Sequence, residues 1–195
     1  MNVEDLEHHQ RKCIYRQVFC PSPEKNCQRN KILFKDVIEH LETSHKDLYD
    51  FGKKNHFFSF LEMDKNRLKN NAFWTPVKVT TSCGALFFFA AKVVNERFCF
   101  LLTFMGSSDE AENYSSSISI ENKIGKKINI FNFTGPVHTI DEGADDIIAS
   151  GSLLSIGIDI AKRSLNEKKE LLFEITIRNL KEEAKDDDNE SGISD

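Results

Sequence analysis

The sequence predicts a mainly β protein in which a small cysteine–histidine module precedes an antiparallel β-sandwich. Three observations carry this expectation. From residue 54 to residue 180 the chain divides into short runs rich in Phe, Ile, Val and Thr, most of them separated by turn residues. Two of these runs, SISIE and INIFNF, alternate apolar and polar positions, as strands with one buried and one wet face do. Residues 1–46 are instead polar and hold three of the five cysteines at one repeated spacing, C-x6-C-x6-C.

The runs, in order, are HFFSFLEM (56–63), WTPVKVTT (74–81), ALFFFAAKVV (85–94), RFCFLLTFM (97–105), YSSSISIEN (114–122) and KINIFNFTG (127–135). A last strand is expected at ELLFEITIRNL (170–180). ALFFFAA and FCFLLTF are apolar at consecutive positions, so they should be central strands covered on both faces. IDIAKRSLNEKK (158–169) is the best helical stretch of this half. Pro76 cannot donate to a ladder, which places WTPVKVTT at a sheet edge or makes it begin there. DEGADD (141–146) lacks the spacing of a calcium loop and reads as a solvated loop. Trp74 reads equally as an interface anchor and as core beside Phe73.

Of 195 residues, 39% are hydrophobic and 16 are Phe, enough for a core over most of the length. The longest apolar run, CGALFFFAAKVV, is interrupted by Lys92 and is too short to span a bilayer as a helix. The start, MNVEDLEHHQRK, has the wrong chemistry for a secretory signal. These features lead us to expect a cytoplasmic protein, also nuclear in reach, with reduced thiols and no membrane contact. In that setting a cysteine cluster favours metal over disulfides. The formal net charge is −5, and the last fifteen residues alone, with seven acids and two lysines, sum to −5. Residues 181–195 are therefore expected to be a disordered acidic tail. The near-neutral remainder, without a basic stripe, argues against nucleic acid.

The first chemical motif is Cys20-x6-Cys27-x12-His40-x4-His45. Two sulfurs and two imidazoles suit a tetrahedral structural Zn2+ site. Pro21 and Pro23 keep the first loop out of helix and let it turn between the thiols. KDVIEHLETSH reads as a helix with Val37, Ile38 and Leu41 turned inward and His40 on it. The competing reading is a free-cysteine loop beside two surface histidines. Upstream, His9 and Cys13, with His8 as an alternative, look like half of a second, incomplete site.

H-x3-C-x6-C-x6-C-x12-H-x4-H, with its CPxP and HLxxxH segments, resembles the zinc-finger region of the seven-in-absentia (SIAH) family of ubiquitin ligases. The TSCG segment (81–84) and the strand order extend the resemblance towards residue 180. The resemblance implies a zinc-finger region over 1–46, with its first finger incomplete, and a TRAF-like β-sandwich over 54–180. It also implies capture of extended degron peptides by strand addition, and a homodimer. Phe57, Phe58, Val77 and Val79 are the expected peptide-facing residues. The departures are that no RING is present and that the first finger lacks its two leading cysteines. The expected function is thus substrate recognition in the ubiquitin–proteasome system, meeting ubiquitin-conjugating machinery only if a RING is supplied elsewhere. The alternatives are an incomplete chain of a RING ligase and a RING-less competitor of such ligases. No catalytic residue is expected: Cys83 and Cys99, with His138 as a hypothetical base, read as buried, inert thiols with nothing to activate them. No GxxxxGK[ST], HExxH or GxSxG motif occurs.

Overall fold

The computed structural model describes residues 3–27, 30–45, 49–63, 72–124 and 127–182. Helix α1 (Val3–Lys12) leads into a hairpin of β1 (Gln17–Phe19) and β2 (Lys31–Leu33), with Val18 opposite Ile32. A 3-10 turn (Phe34–Asp36) then opens α2 (Val37–Ser44). Strands β3 (Tyr49–Lys53), β4 (His56–Glu62), β5 (Phe73–Thr80), β6 (Leu86–Val94) and β7 (Arg97–Phe104) follow. After the short α3 (Ser108–Ala111) come β8 (Tyr114–Ile124), β9 (Lys127–Pro136) and β10 (His138–Thr139). The remaining elements are α4 (Ala144–Ser150), β11 (Ser155–Gly157), α5 (Ile158–Arg163) and β12 (Glu170–Asn179).

The strands form two large sheets, as the alternation in the sequence requires. One runs β10–β7–β6–β5–β3, with β11 also on β7; the other runs β4–β12–β8–β9. Pairing is antiparallel except for β3 on β5 and β10 on β7. The β6–β7 hairpin closes through Asn95 and Glu96, both at positive φ (49° and 60°), the conformation a tight two-residue hairpin loop demands.

Between the sheets lie Phe87 and Phe89 of β6, Phe98 and Phe100 of β7, Phe173 and Ile175 of β12, and Ile118 and Ile120 of β8. Phe89 packs on Phe173 with centroids 4.8 Å apart, which joins the sheets through offset rings. Trp74 belongs to this core, 4.8 Å from the Phe98 ring, and donates its indole N–H to the Glu62 carbonyl at 3.1 Å. The opposite faces of β6 and β7 are also covered. Phe88 packs with Val18, Val37, Leu41 and Ile140, while Ala90 and Leu101 pack with Ala144, Ile147 and Leu153 around α4. Cover on both sides explains why these two strands read as unbroken apolar runs.

Four local expectations are revised. DEGADD is not simply a loop: it opens α4, with Gly143 extended at the N-cap and Asp145 and Asp146 in the first turn. Acids at that end suit the helix dipole, and Gly151 at φ 72° stops the helix. The helix in IDIAKRSLNEKK ends at Arg163, because Asn166 Oδ1 accepts from the Lys168 and Glu170 N–H groups and turns the chain into β12. Residues 49–53, left outside both expected regions (1–46 and 54–180), form β3 of the sandwich. Finally, β5 is not an edge over its second half. Tyr49 and Asp50 of β3 pair with Val77 and Lys78, and β6 flanks the other side. Pro76 sits instead at a register shift between Trp74 and Val77, where a missing donor breaks no regular ladder. The expected tail falls mostly outside the described residues, which end at 182.

The N-terminal module is joined to the sandwich by more than apolar contact. Phe19 N–H donates to the Ile140 carbonyl at 2.8 Å. The Arg16 guanidinium lies 3.8 Å over the Phe34 ring, donates to the Gly106 carbonyl at 3.1 Å and pairs with Asp141 at 3.2 Å. One side chain thereby links the hairpin, the 3-10 turn and two sandwich loops.

Candidate metal centre and open strand edge

The loop between Cys20 and Cys27 is shaped by its own backbone. Pro21, Ser22 and Pro23 are buried; the Ser22 N–H donates to Cys20 Sγ at 3.4 Å, and the Cys27 N–H donates to the Glu24 carbonyl at 3.0 Å. The turn directs both sulfurs to one side. Helix α2 supplies a half-buried His40 while Val37 and Leu41, one turn apart, anchor its buried flank. Ile38, expected inward, is half-buried at the margin of that cluster. The helix ends at His45, whose N–H still bonds the Leu41 carbonyl at 3.0 Å while its backbone leaves helical space (φ −122°, ψ 80°). That unwinding lets a residue five positions after His40 face the same point.

One donor atom from each of Cys20, Cys27, His40 and His45 lies within 4.8 Å of all the others. Cys20 Sγ is 3.4 Å from His45 Nε2, and Cys27 Sγ is 3.7 Å from His40 Nε2. A tetrahedral zinc with Zn–S about 2.3 Å and Zn–N about 2.0–2.1 Å separates S from N by about 3.5 Å. The donor set thus fits such an ion in both chemistry and spacing. Burial pushes the Cys20 thiol up to about 12, with the Ser22 N–H opposing and the neighbouring Cys27 adding to the rise. Cys27 is raised as well, by burial and then by Glu24. His45 is lowered, by burial first and by His40 second with Glu24 opposing, which favours the neutral imidazole, the form that ligates metals. A dication offsets the cost of holding two thiolates here, so binding one expels thiol protons.

His9 is exposed on α1 and Cys13 is half-buried just after it. Neither joins a group of three or more metal-ligating side chains among the described residues. The side chain of His8 lies outside those described.

The four peptide-facing candidates separate by burial. Phe57 is in the core, 4.9 Å from the Phe51 ring, and Val79 is fully buried. Val77 is half-buried against the same core. Phe58 alone is open, 71% exposed on β4, where Phe60 is 50% exposed beside it. Among the described residues β4 is a terminal strand of its sheet, paired with β12 on one side, so it offers the open edge that the second half of β5 does not. Phe60 faces Leu172 across the β4–β12 ladder, and Phe58 faces Glu174. Next to them is a cavity of about 340 Å³, walled by Phe58, Leu172, Leu165, Arg163, Glu121 and Glu174. The sequence signal that could have moved the edge from β5 to β4 is HFFSFLE itself, which puts Phe on both faces of one strand.

Cys83 departs from the inert reading. It is exposed on the turn before β6, whereas Cys99 is buried. Burial pushes the Cys83 thiol up, but hydrogen bonds from Thr81, the Ala85 N–H, Tyr114 and Asn179 outweigh it and leave the thiol below its ordinary range. Thr81 Oγ1 is the nearest partner at 3.0 Å. Cys99 is raised by burial. A maleimide probe should therefore label Cys83 in the native protein well before Cys99, read by mass spectrometry of peptides; equal labelling would contradict the geometry. His138 is engaged elsewhere, with Glu142 and the Ser152 carbonyl, each at 2.9 Å.

No helix among the described residues is long and apolar enough to cross a membrane. No curated protein matches the chain. Residues 82–176, from the turn before β6 into β12, match the family model described as Sina, TRAF-like domain, which supports a SINA/SIAH-like TRAF domain over the larger part of the sandwich.

Proposed function

We propose that the chain is a zinc-binding substrate-recognition module of the ubiquitin–proteasome system that captures extended degron peptides. The observation that carries this reading is the similarity of residues 82–176 to the Sina TRAF-like domain. The outer edge of β4 supports the mode of capture, because an open strand edge offers N–H and C=O groups to an incoming extended segment. In this reading Phe58, Phe60 and the adjoining cavity receive side chains of the added strand, while Phe57 and Val79 hold β4 and β5 in place from the core. Residues 1–46 act as a zinc finger and residues 54–180 as the binding domain, with a homodimer built through the sandwich. Zinc, when bound, would cross-link the Cys20–Cys27 loop to α2 through Cys20, Cys27, His40 and His45. In this reading the chain's own part is recognition.

The test is selection of binders from a displayed library of extended peptides, followed by anisotropy titration of the selected sequences. Phe58→Ala should weaken binding by about 1–2 kcal/mol, a factor of roughly 5–30, with the melting temperature unchanged because the ring is exposed. Absence of any selected peptide, or affinities indifferent to Phe58 and Phe60, would sink the β4 assignment.

A further inference from the structure

Each ligating histidine has a second ring nitrogen, and the hydrogen bond made there decides which nitrogen is left for a metal. In His45 the two nitrogens face different chemistry. Nε2 points at Cys20 Sγ at 3.4 Å, and Nδ1 points at Glu24 Oε2 at 3.2 Å. In His40 the equivalent partner of Nδ1 is the Ser44 hydroxyl, at 3.4 Å. A hydroxyl can donate or accept, so it tolerates either tautomer. An ionised carboxylate only accepts, so it selects the tautomer with the proton on Nδ1 and the lone pair on Nε2.

We infer that Glu24 is the positioning residue of the metal centre, fixing the tautomer and ring plane of His45 so that Nε2 meets the ion. This rests on the zinc reading above. The placement of Glu24 is part of the ligand loop itself. Its N–H donates to Ser22 Oγ at 3.4 Å and its carbonyl accepts from the Cys27 N–H at 3.0 Å. The segment that carries both thiols therefore also carries the carboxylate, and one turn sets three of the groups around the ion. His45 needs this help more than His40 does. It sits at the unwound C-cap of α2, where the helix no longer dictates its direction, whereas His40 is inside the helix. A carboxylate behind the imidazole also makes the ring a stronger donor to the metal.

The experiment is zinc affinity by chelator competition on the full chain, for the unmutated protein, Glu24→Ala, Glu24→Gln and Lys25→Ala. Lys25 is the exposed neighbour on the same turn and serves as the control. Glu24→Ala should weaken zinc by about 10–100-fold, while Lys25→Ala leaves it unchanged. Glu24→Gln should recover part of the loss, because its amide oxygen still accepts the Nδ1 proton without supplying charge. Cobalt-substituted Glu24→Ala should keep the visible absorption of a two-sulfur, two-nitrogen tetrahedral centre, showing that the ligands remain. Long-range nitrogen–proton correlation in the unmutated zinc form should show His45 bound through Nε2. Zinc affinity in Glu24→Ala within about threefold of the unmutated protein would overturn the inference, since outer-shell partners normally matter more. So would metal on His45 Nδ1, or Glu24→Gln as weak as Glu24→Ala. An unmutated chain that binds no zinc would overturn the zinc reading itself, and the inference with it.

Discussion

On the proposed zinc reading, Cys20→Ala, or chelation of the unmutated protein, should unfold the N-terminal module and lower the melting temperature of the sandwich beneath it. The module's own apolar residues are few: Val18, Val37 and Leu41 are buried, and they are buried against Phe88 and Ile140 of the sandwich. A segment of this size lacks the core to hold a loop, a three-residue hairpin and a two-turn helix together. A structural zinc site contributes folding free energy outright, about 10–16 kcal/mol in isolated finger peptides at neutral pH. With the module open, Phe88 and Ile140 return to water at a cost of roughly 1.5–3 kcal/mol each. The effect therefore reaches the sandwich, whose unfolding is followed through Trp74, the single tryptophan, buried on the Phe98 ring. Hydrogen exchange should show residues 37–44 losing protection on chelation while β12 keeps it. The pH dependence has a definite sign. Burial raises both thiols, so protons compete with the metal, and zinc affinity must fall as pH falls. A melting temperature indifferent to chelator would show that packing alone holds the module.

Phe89→Ala should be among the most damaging single substitutions in the sandwich, at about 3–5 kcal/mol. The ring is 1% exposed, stacked on Phe173 of the opposite sheet, with Phe100 of the neighbouring strand 6.0 Å away. Truncation leaves a cavity where the two sheets meet, walled by rigid rings that cannot collapse into it. Urea titration should show a lower midpoint with an unchanged slope, since the same surface unfolds. Phe58→Ala is the comparison: the same chemical deletion on a solvated face should stay within about 0.5 kcal/mol. A loss below about 1 kcal/mol for Phe89→Ala would contradict the packing described. Phe88, next in sequence, points the other way and loosens the N-terminal module rather than the sheet interface when truncated.

The strands were legible where pattern and physics coincide. β6 and β7 read as doubly covered because consecutive Phe and Leu residues need apolar neighbours on both faces, and the fold supplies them from the other sheet, the N-terminal module and α4. β8 and β9 read as half-wet because serine and asparagine alternate with isoleucine and phenylalanine. The clustering of Cys20, Cys27, His40 and His45 was legible from residue type and spacing, since a loop and one helix bring them together without distant chain. Short elements were not. α4 has two isoleucines beside Asp145, Asp146 and Ser150, and nothing local distinguishes it from a loop until Leu101 and Leu153 cover Ile147. β3 and β11 are too short to carry a period and exist because β5 and β7 offer open ladders.

What the amino-acid order determined by itself is therefore the β class, the two doubly buried strands, and a compact Cys2His2 set that chain connectivity alone can close. What tertiary structure decided is which strand is an edge, which thiol meets solvent, and what stands behind each histidine. Pro76 pointed to an edge on β5, but β3 occupies it, and the open edge fell to β4. Cys83 is exposed because its turn lies at the rim, with Tyr114 and Asn179 arriving from 31 and 96 residues away. The reason is the same in each case. Edge, exposure and outer hydrogen bonds are properties of neighbours distant in sequence, and no local period or spacing records which neighbour will arrive.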